Sequence, residues 1–191
     1  QLHAKMEDVI QLEYLPAVLS ASDLTAYYDK LSWGYHDYFE ALQYYKANES
    51  TEADMSLVLS AFDRYRILTA IRYGDFGLEA INYQMQNALQ STLNIQSQGD
   101  WYLGRPVMMT YNDYQLGLSN GDIGLCLYSR SQKGQFEVFF PSLNKWVPAT
   151  RLPKSIQTAF ALTIHKSQGS EFQHTAVVLD EFATTLLSKE L

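Results

Sequence analysis

The stretch Ala159–Asp180, "AFALTIHKSQGSEFQHTAVVLD", decides how the rest of the chain is read. Two apolar runs, "AFAL" and "AVVLD", bracket a polar turn made of His165, Lys166, Ser167, Gln168, Gly169, Ser170 and Glu171. Short apolar runs bounded by such a turn read as two buried strands. A strand that ends in a glycine-containing turn presents free backbone N–H groups, and in a parallel sheet that edge is the usual ligand crevice. Together with the hydroxyls of Thr163, Ser167 and Ser170, those amides suit an oxyanion such as a phosphate. His165 and Lys166 add donors, and Gly169 permits close approach of a ligand or a positive φ. Glu171 would be repelled by a phosphate, so it is expected to accept from a sugar hydroxyl or to orient a neighbour. On composition alone the same residues read equally as a polar loop capping a helix.

Upstream, "YRILTAIR" (Tyr65–Arg72) is an apolar run of strand length, followed by the turn "YGDFG" and a helical pattern of Leu78, Ile81, Met85 and Leu89. Strand, glycine turn and helix open a βα unit, so a parallel sheet is expected, with the two later runs as further strands of it. Between them, "RPVMMTYND", "DIGLCLYS", "QFEVFF" and "KWVPATRL" read as short strands separated by Asn120-Gly121, "SRSQKG" and "PSLN". This spacing predicts a small antiparallel β-barrel inserted into the α/β part. Cys126 alternates as an inward strand position.

The first sixty residues read as helices. Ser22 is a candidate N-cap for a run carrying Leu24, Tyr27, Tyr28, Leu31, Tyr35, Tyr38, Phe39 and Leu42. Thr51 and Asp54 form a capping-box pattern, and Pro16 ends or kinks an earlier helix around Met6, Val9 and Ile10. Ten of the fourteen tyrosines precede residue 84. They are expected to pack a helical bundle with their hydroxyls in water. The resulting organisation is a helical segment over 1–62, an α/β domain over 63–103 and 153–191, and the inserted barrel over 104–152.

Composition narrows the function classes. With 47% hydrophobic and 18% charged residues, the chain is a globular protein with a proper core. No apolar run approaches the roughly 18 residues of a membrane span. One cysteine excludes an intramolecular disulfide and fits a reducing, cytoplasmic setting. His3 and His36 have no partners at metal-ligand spacing. The net charge of −7 argues against a free-standing nucleic-acid binder. Residues 1–98, however, hold 6 basic and 13 acidic side chains, whereas residues 99–191 hold 8 of each. The acidic part and the polar turn are therefore separate. Beginning at Gln1 and ending on "SKEL", the chain is expected to be a piece of something longer.

"ALTIHKSQGSEF" resembles motif V of superfamily 1 helicases in the form carried by the RecD family, the alpha subunits of exodeoxyribonuclease V. "FDRYRILTAIRYGDFGLEAIN" and "WYLGRPVMMTYNDYQLGLSNGDIG" resemble consecutive segments of the same family, in the same order. The resemblance covers residues 60 to 180. It implies a discontinuous RecA-like C-terminal helicase domain within an ATP-dependent 5′→3′ DNA helicase. That motor would work with RecB and RecC in a complex that processes double-strand ends for recombination. It also implies ATP and Mg²⁺ as cofactors of the full-length protein, with none expected on this part alone. By the same resemblance Thr163, His165, Lys166 and Ser167 would meet the phosphates of single-stranded DNA. Gln168, Gly169 and Glu171 would face the nucleotide, with Glu171 toward the ribose. Asn112, Asp113, Asn120, Gly121 and Asp122 match the family's pattern in its small β-domain. Asn112 and Asp113 are thereby candidate DNA contacts, although turn formation accounts for the same residues. Arg72 and Asn82 match near the first βα unit, as cleft or sheet-edge residues.

The departures are equally specific. No G-x-x-x-x-G-K-[ST] loop is present, and no apolar strand ends in an Asp-Glu pair. In the family an arginine-bearing motif follows soon after the position of Leu191. No catalytic residue is therefore expected here, and the chain alone is expected not to hydrolyse ATP. Two rivals stand beside this reading. Ser167 or Ser170 with His165 or His174 could form a nucleophile and base, although no G-x-S-x-G elbow accompanies them. Alternatively the chain is a subunit-docking module in which the polar turn is only structural.

Overall fold

A computed structural model describes residues 20–48, 52–169 and 172–178. The expected helix before Pro16, Thr51 of the capping-box pattern, and Ser170 and Glu171 of the turn lie outside the described residues.

The helical segment begins with α1 (Ala21–Trp33) and α2 (His36–Ala47). Its N-cap is Ser20 rather than Ser22: the Ser20 hydroxyl oxygen accepts from Asp23 N at 3.2 Å. The single helical run expected from Leu24 to Leu42 is broken at Gly34. A Cβ on Gly34 would lie 2.1 Å from the Tyr65 ring, and the Tyr65 hydroxyl donates to Leu31 O at 2.8 Å. Another element's ring fills the space beside the junction of the two helices, so only glycine fits there. α3 (Glu52–Asp63) then packs against α2 and leads into β1 (Tyr65–Thr69).

The tyrosines depart from expectation in an informative way. Tyr35, Tyr38 and Tyr45 are fully buried, not wet at the tip. Tyr35 donates its hydroxyl proton to Phe160 O, Tyr38 to Gly104 O at 2.7 Å, and Tyr28 to Asp75 O at 2.6 Å. Burial removes water, so each hydroxyl must find a protein acceptor. Those acceptors are backbone carbonyls of segments far along the chain. The tyrosines thus pin the helices to both sheets.

β1 is the central strand of a parallel sheet in the order β7-β1-β8, with β7 at Ala161–Thr163 and β8 at His174–Val178. Thr69 aligns with both Thr163 and Val178, so all three strands point the same way, as the βα unit demands. β1 ends at Thr69, short of the expected Arg72. There the Thr69 hydroxyl donates to Phe76 O at 2.7 Å and folds the chain into its glycine turn. α4 (Leu78–Leu93) returns across this sheet, burying Leu78, Ile81, Met85 and Leu89.

The second sheet lies in sequence between α4 and β7. Its strands are β2 (Pro106–Met108), β3 (Ile123–Tyr128), β4 (Phe136–Phe140), β5 (Lys145–Pro148) and β6 (Gln157–Thr158), in the order β5-β4-β3-β2-β6, all antiparallel. This sheet is open, so the expected barrel does not close. Along β3 the side chains alternate: Leu125 and Leu127 join the helical core, whereas Cys126 joins a second cluster with Val107, Val138 and Val147. One face is committed to the helices, so the sheet does not curl onto itself, and β5 and β6 remain as separate edges.

Candidate nucleic-acid interface

The polar turn leaves the C-terminal end of β7. Ile164 N donates to Thr69 O at 3.1 Å, the last rung before the chain departs from the sheet. From there the turn closes largely on itself. Lys166 N donates to the Thr163 hydroxyl oxygen at 3.2 Å, Ser167 N to Thr163 O at 3.1 Å, and Gln168 N to His165 O at 3.4 Å. The Ser167 hydroxyl donates to Ile164 O at 2.8 Å, and the residue is buried.

This corrects the expected cradle of unpaired amides. Among the described residues, only the His165 and Gly169 amides of the turn lack a protein acceptor. The proton of Ser167 is already committed, so that residue shapes the turn rather than facing a ligand. Thr163 uses its oxygen as an acceptor and keeps its hydroxyl proton to donate. What the turn offers outward is a set of side chains: exposed His165, half-buried Lys166 and exposed Gln168. Gly169 has φ +83° with open space around it, so it serves the bend itself.

Lys166 reaches beyond the turn. Its ammonium donates to Asn120 Oδ1 at 2.8 Å, crossing from the parallel sheet to a loop of the antiparallel one. That loop, residues 109–122, joins β2 to β3. Asn120 N in turn donates to Asn112 Oδ1 at 2.9 Å. Asp113 Oδ1 accepts from Leu116 N at 3.0 Å, and Asp122 Oδ2 accepts from Ser119 N at 2.7 Å. Asn112 and Asp113 therefore spend acceptor capacity on the loop's own amides, the turn-forming role that accounts for Asn and Asp there. Lys166, Asn120 and Asn112 form one connected polar ridge.

One supporting residue carried a signal that pattern reading passed over. Arg66 interrupts an apolar strand, and its guanidinium lies 3.7 Å from the Phe62 ring centroid and 4.7 Å from that of Phe172. It donates to Phe62 O at 3.0 Å and Tyr65 O at 2.8 Å. Arg66 thus holds the chain leaving the turn against β1. Asn82, expected as a cleft or sheet-edge residue, is at the sheet edge. Its side chain donates to Ala161 O at 3.2 Å and accepts from Ala161 N at 2.9 Å, closing the outer side of β7. Arg72 is exposed.

Among the described residues a serine nucleophile finds no support, since the Ser167 hydroxyl donates to Ile164 O and no hydrogen bond joins it to a histidine. Ser167 follows the C-terminal end of β7, whereas His174 aligns with Tyr65 at the N-terminal end of the sheet. Four residue steps of strand separate those ends, about 13 Å. His36 forms a helical pair with Glu40 at 3.5 Å and stacks on Trp33. A cavity of about 430 Å³ lined by His36, Phe39, Glu40, Gln43, Tyr44 and Thr92 shares no residue with the turn. Among the described residues no cluster of three or more His, Cys, Asp or Glu could hold a metal ion.

No family model matches the chain. Among curated proteins it is similar to "RecBCD enzyme subunit RecD" of Haemophilus influenzae, 43% identical over 132 residues, covering 68% of this chain and 19% of that protein. The protein of the same name from Mycolicibacterium smegmatis is 35% identical over 142 residues, covering 72% of this chain and 24% of that one. "ATP-dependent RecD2 DNA helicase" of Deinococcus radiodurans is 30% identical over 129 residues, 66% of this chain and 18% of that protein. The chain thus spans about a fifth of the length of these relatives. A solved Pif1 helicase from Bacteroides, in complex with ADP-AlF3 and ssDNA, matches with a TM-score of 0.41 and 16% identity, covering 74% of this chain and 42% of that one.

Proposed function

The chain belongs to the RecD family, and on that premise we propose that it forms the C-terminal, strand-gripping part of an ATP-dependent 5′→3′ DNA helicase subunit. The observation that carries this reading is the Lys166–Asn120 hydrogen bond. It joins the turn at the C-terminal end of the parallel sheet to the loop of the antiparallel one. A single strand lying along that ridge would meet the Thr163 hydroxyl proton, the His165 ring and the Lys166 ammonium, all donors suited to phosphate oxygens. Gln168, Gly169 and Glu171 are assigned to the nucleotide side. A short turn with a ligand at each end can couple nucleotide state to grip on DNA, because either ligand biases the same segment.

In this reading the partners are single-stranded DNA, RecB and RecC, and the setting is the cytoplasm, acting in double-strand-break repair. The organisation is a helical segment, a RecA-like domain and an inserted β-domain. ATP would reach its full site only with phosphate-binding and arginine motifs that this sequence lacks. The described residues of the turn offer hydroxyls, amides and an ammonium but no carboxylate, so they do not fit Mg²⁺, and no step here runs through the metal.

The test is fluorescence anisotropy with a labelled single-stranded oligonucleotide across a salt series. Lys166→Ala is expected to weaken binding about fivefold or more and to reduce the salt slope by about one. Binding that is unchanged in both Lys166→Ala and His165→Ala would transfer the turn to a structural role and the chain to subunit docking.

A further inference from the structure

The loop that receives Lys166 carries a feature the turn does not explain. Tyr114 is 89% exposed and Tyr111 is 42% exposed, on a loop that is otherwise tightly held. Asp113 N donates to Leu118 O at 2.8 Å and Leu118 N to Asp113 O at 3.0 Å, closing a hairpin around residues 114–117. Leu116 and Leu118 are buried in the cluster of the antiparallel sheet, and Asp113 caps Leu116 N. Gly121 N donates to Met109 O at 2.7 Å at the loop's base. A large ring held in water on so fixed a base is preorganised, because little conformational freedom is left to lose when something stacks on it.

Cations also stand on this loop. The Lys145 ammonium donates to Leu116 O, and Lys166 seats on Asn120, so two cations are anchored on the loop that carries the tyrosines. The two acidic side chains of the loop region, Asp113 and Asp122, are turned onto backbone amides. Cations beside exposed aromatic rings are the pairing with which proteins hold single-stranded nucleic acid: charge follows the backbone and rings stack on bases.

We propose that Tyr114 and Tyr111 form a base-stacking platform for single-stranded DNA, continuous with the Lys166–Asn120 ridge. This rests on the strand-binding role assigned to the polar turn and adds base contacts to its phosphate contacts. The strand bound at Lys166 continues over the loop, where one or two bases leave their own stack and lie on the tyrosine rings. Every base has a π-face, so the platform tolerates any sequence.

The test uses two labelled strands of equal length, oligothymidine and an abasic deoxyribose-phosphate chain, measured by anisotropy at low salt. The wild-type protein is expected to bind oligothymidine more tightly. Tyr114→Ala with Tyr111→Ala should weaken oligothymidine binding about tenfold while leaving the abasic strand unchanged. Tyr114→Phe should retain most of the preference, and circular dichroism should report the wild-type fold for all variants. Lys166→Ala should weaken both strands alike. Equal loss on both strands, or none on oligothymidine, overturns the stacking platform and leaves the turn's role standing. Failure of the wild-type protein to bind either strand overturns both.

Discussion

Asn82 shows how one residue keeps the polar turn in place. Among the described residues β7 is an edge strand, and the N–H and C=O of Ala161 point away from β1. The Asn82 amide satisfies both, doing the work of a missing neighbour strand. Asn82→Ala would orphan two buried backbone groups, so a loss of about 3 kcal/mol is expected in urea denaturation. Asn82→Asp, which sets a buried carboxylate oxygen against Ala161 O, should lose at least as much. A loss below about 0.5 kcal/mol for the alanine variant would mean that water replaces the amide freely. The donor character of Thr163, His165 and Lys166 was legible from residue type. The fate of each proton was not, because Ser167 settles its own on Ile164 O only once the turn has closed.

At the level of elements, hydrophobic periodicity located α4, the parallel strands and β2 to β5, and it located helix across Leu24–Leu42; it missed β6, which pairs with β2 from beyond the 104–152 expected for the inserted part. The need for glycine at the helix junction escaped it for a definable reason. Gly34 has φ −62° and ψ −24°, ordinary helical values, so nothing local requires a glycine. The requirement is the Tyr65 ring, 31 residues away in sequence. Gly34→Ala is therefore expected to destabilise through overpacking by about 2 kcal/mol. Most of that penalty should disappear in a Tyr65→Val background, where Gly34→Ala can instead gain from the better helix propensity of alanine. Equal penalties in the two backgrounds, compared by chemical denaturation, would refute the steric cause. The open antiparallel sheet has the same kind of origin. Alternation along β3 was readable, but the use of Leu125 and Leu127 against the helices was not, and that contact keeps the barrel from closing.

For the molecule as a whole, buried tyrosines dominate the contact between helices and sheets, and they predict an alkaline limit to stability. Burial pushes the hydroxyls of Tyr27 and Tyr35 up to about 12, from the ordinary value of 10.0. Those of Tyr38, Tyr65 and Tyr102 also rise by burial. Each raised pKa means that the folded state holds its proton more tightly than the unfolded chain. The associated stability is complete below pH 10 and declines as pH rises toward 12. Titration followed by tyrosinate absorbance should show Tyr35, Tyr38, Tyr65 and Tyr102 holding their protons well past pH 10 and ionising only together with loss of the helical circular dichroism signal. The buried Cys126 thiol, likewise pushed up by burial, should resist a disulfide reagent until the same transition. Ionisation of Tyr35, Tyr38, Tyr65 and Tyr102 near pH 10 with the fold intact would contradict this packing.

The sequence by itself determined the alternation of apolar runs, the βα unit, the parallel strands on either side of a polar turn, and the residue types that turn displays. These follow from side-chain periodicity and backbone preference, which act over a few neighbouring residues. Tertiary structure alone decided that Lys166 would meet Asn120, that Asn82 would close β7, that Tyr35 and Tyr38 would donate to distant carbonyls, and that Tyr114 would stand in water on a fixed loop. Each of these depends on which segments become neighbours once the core excludes water, and no local pattern encodes that.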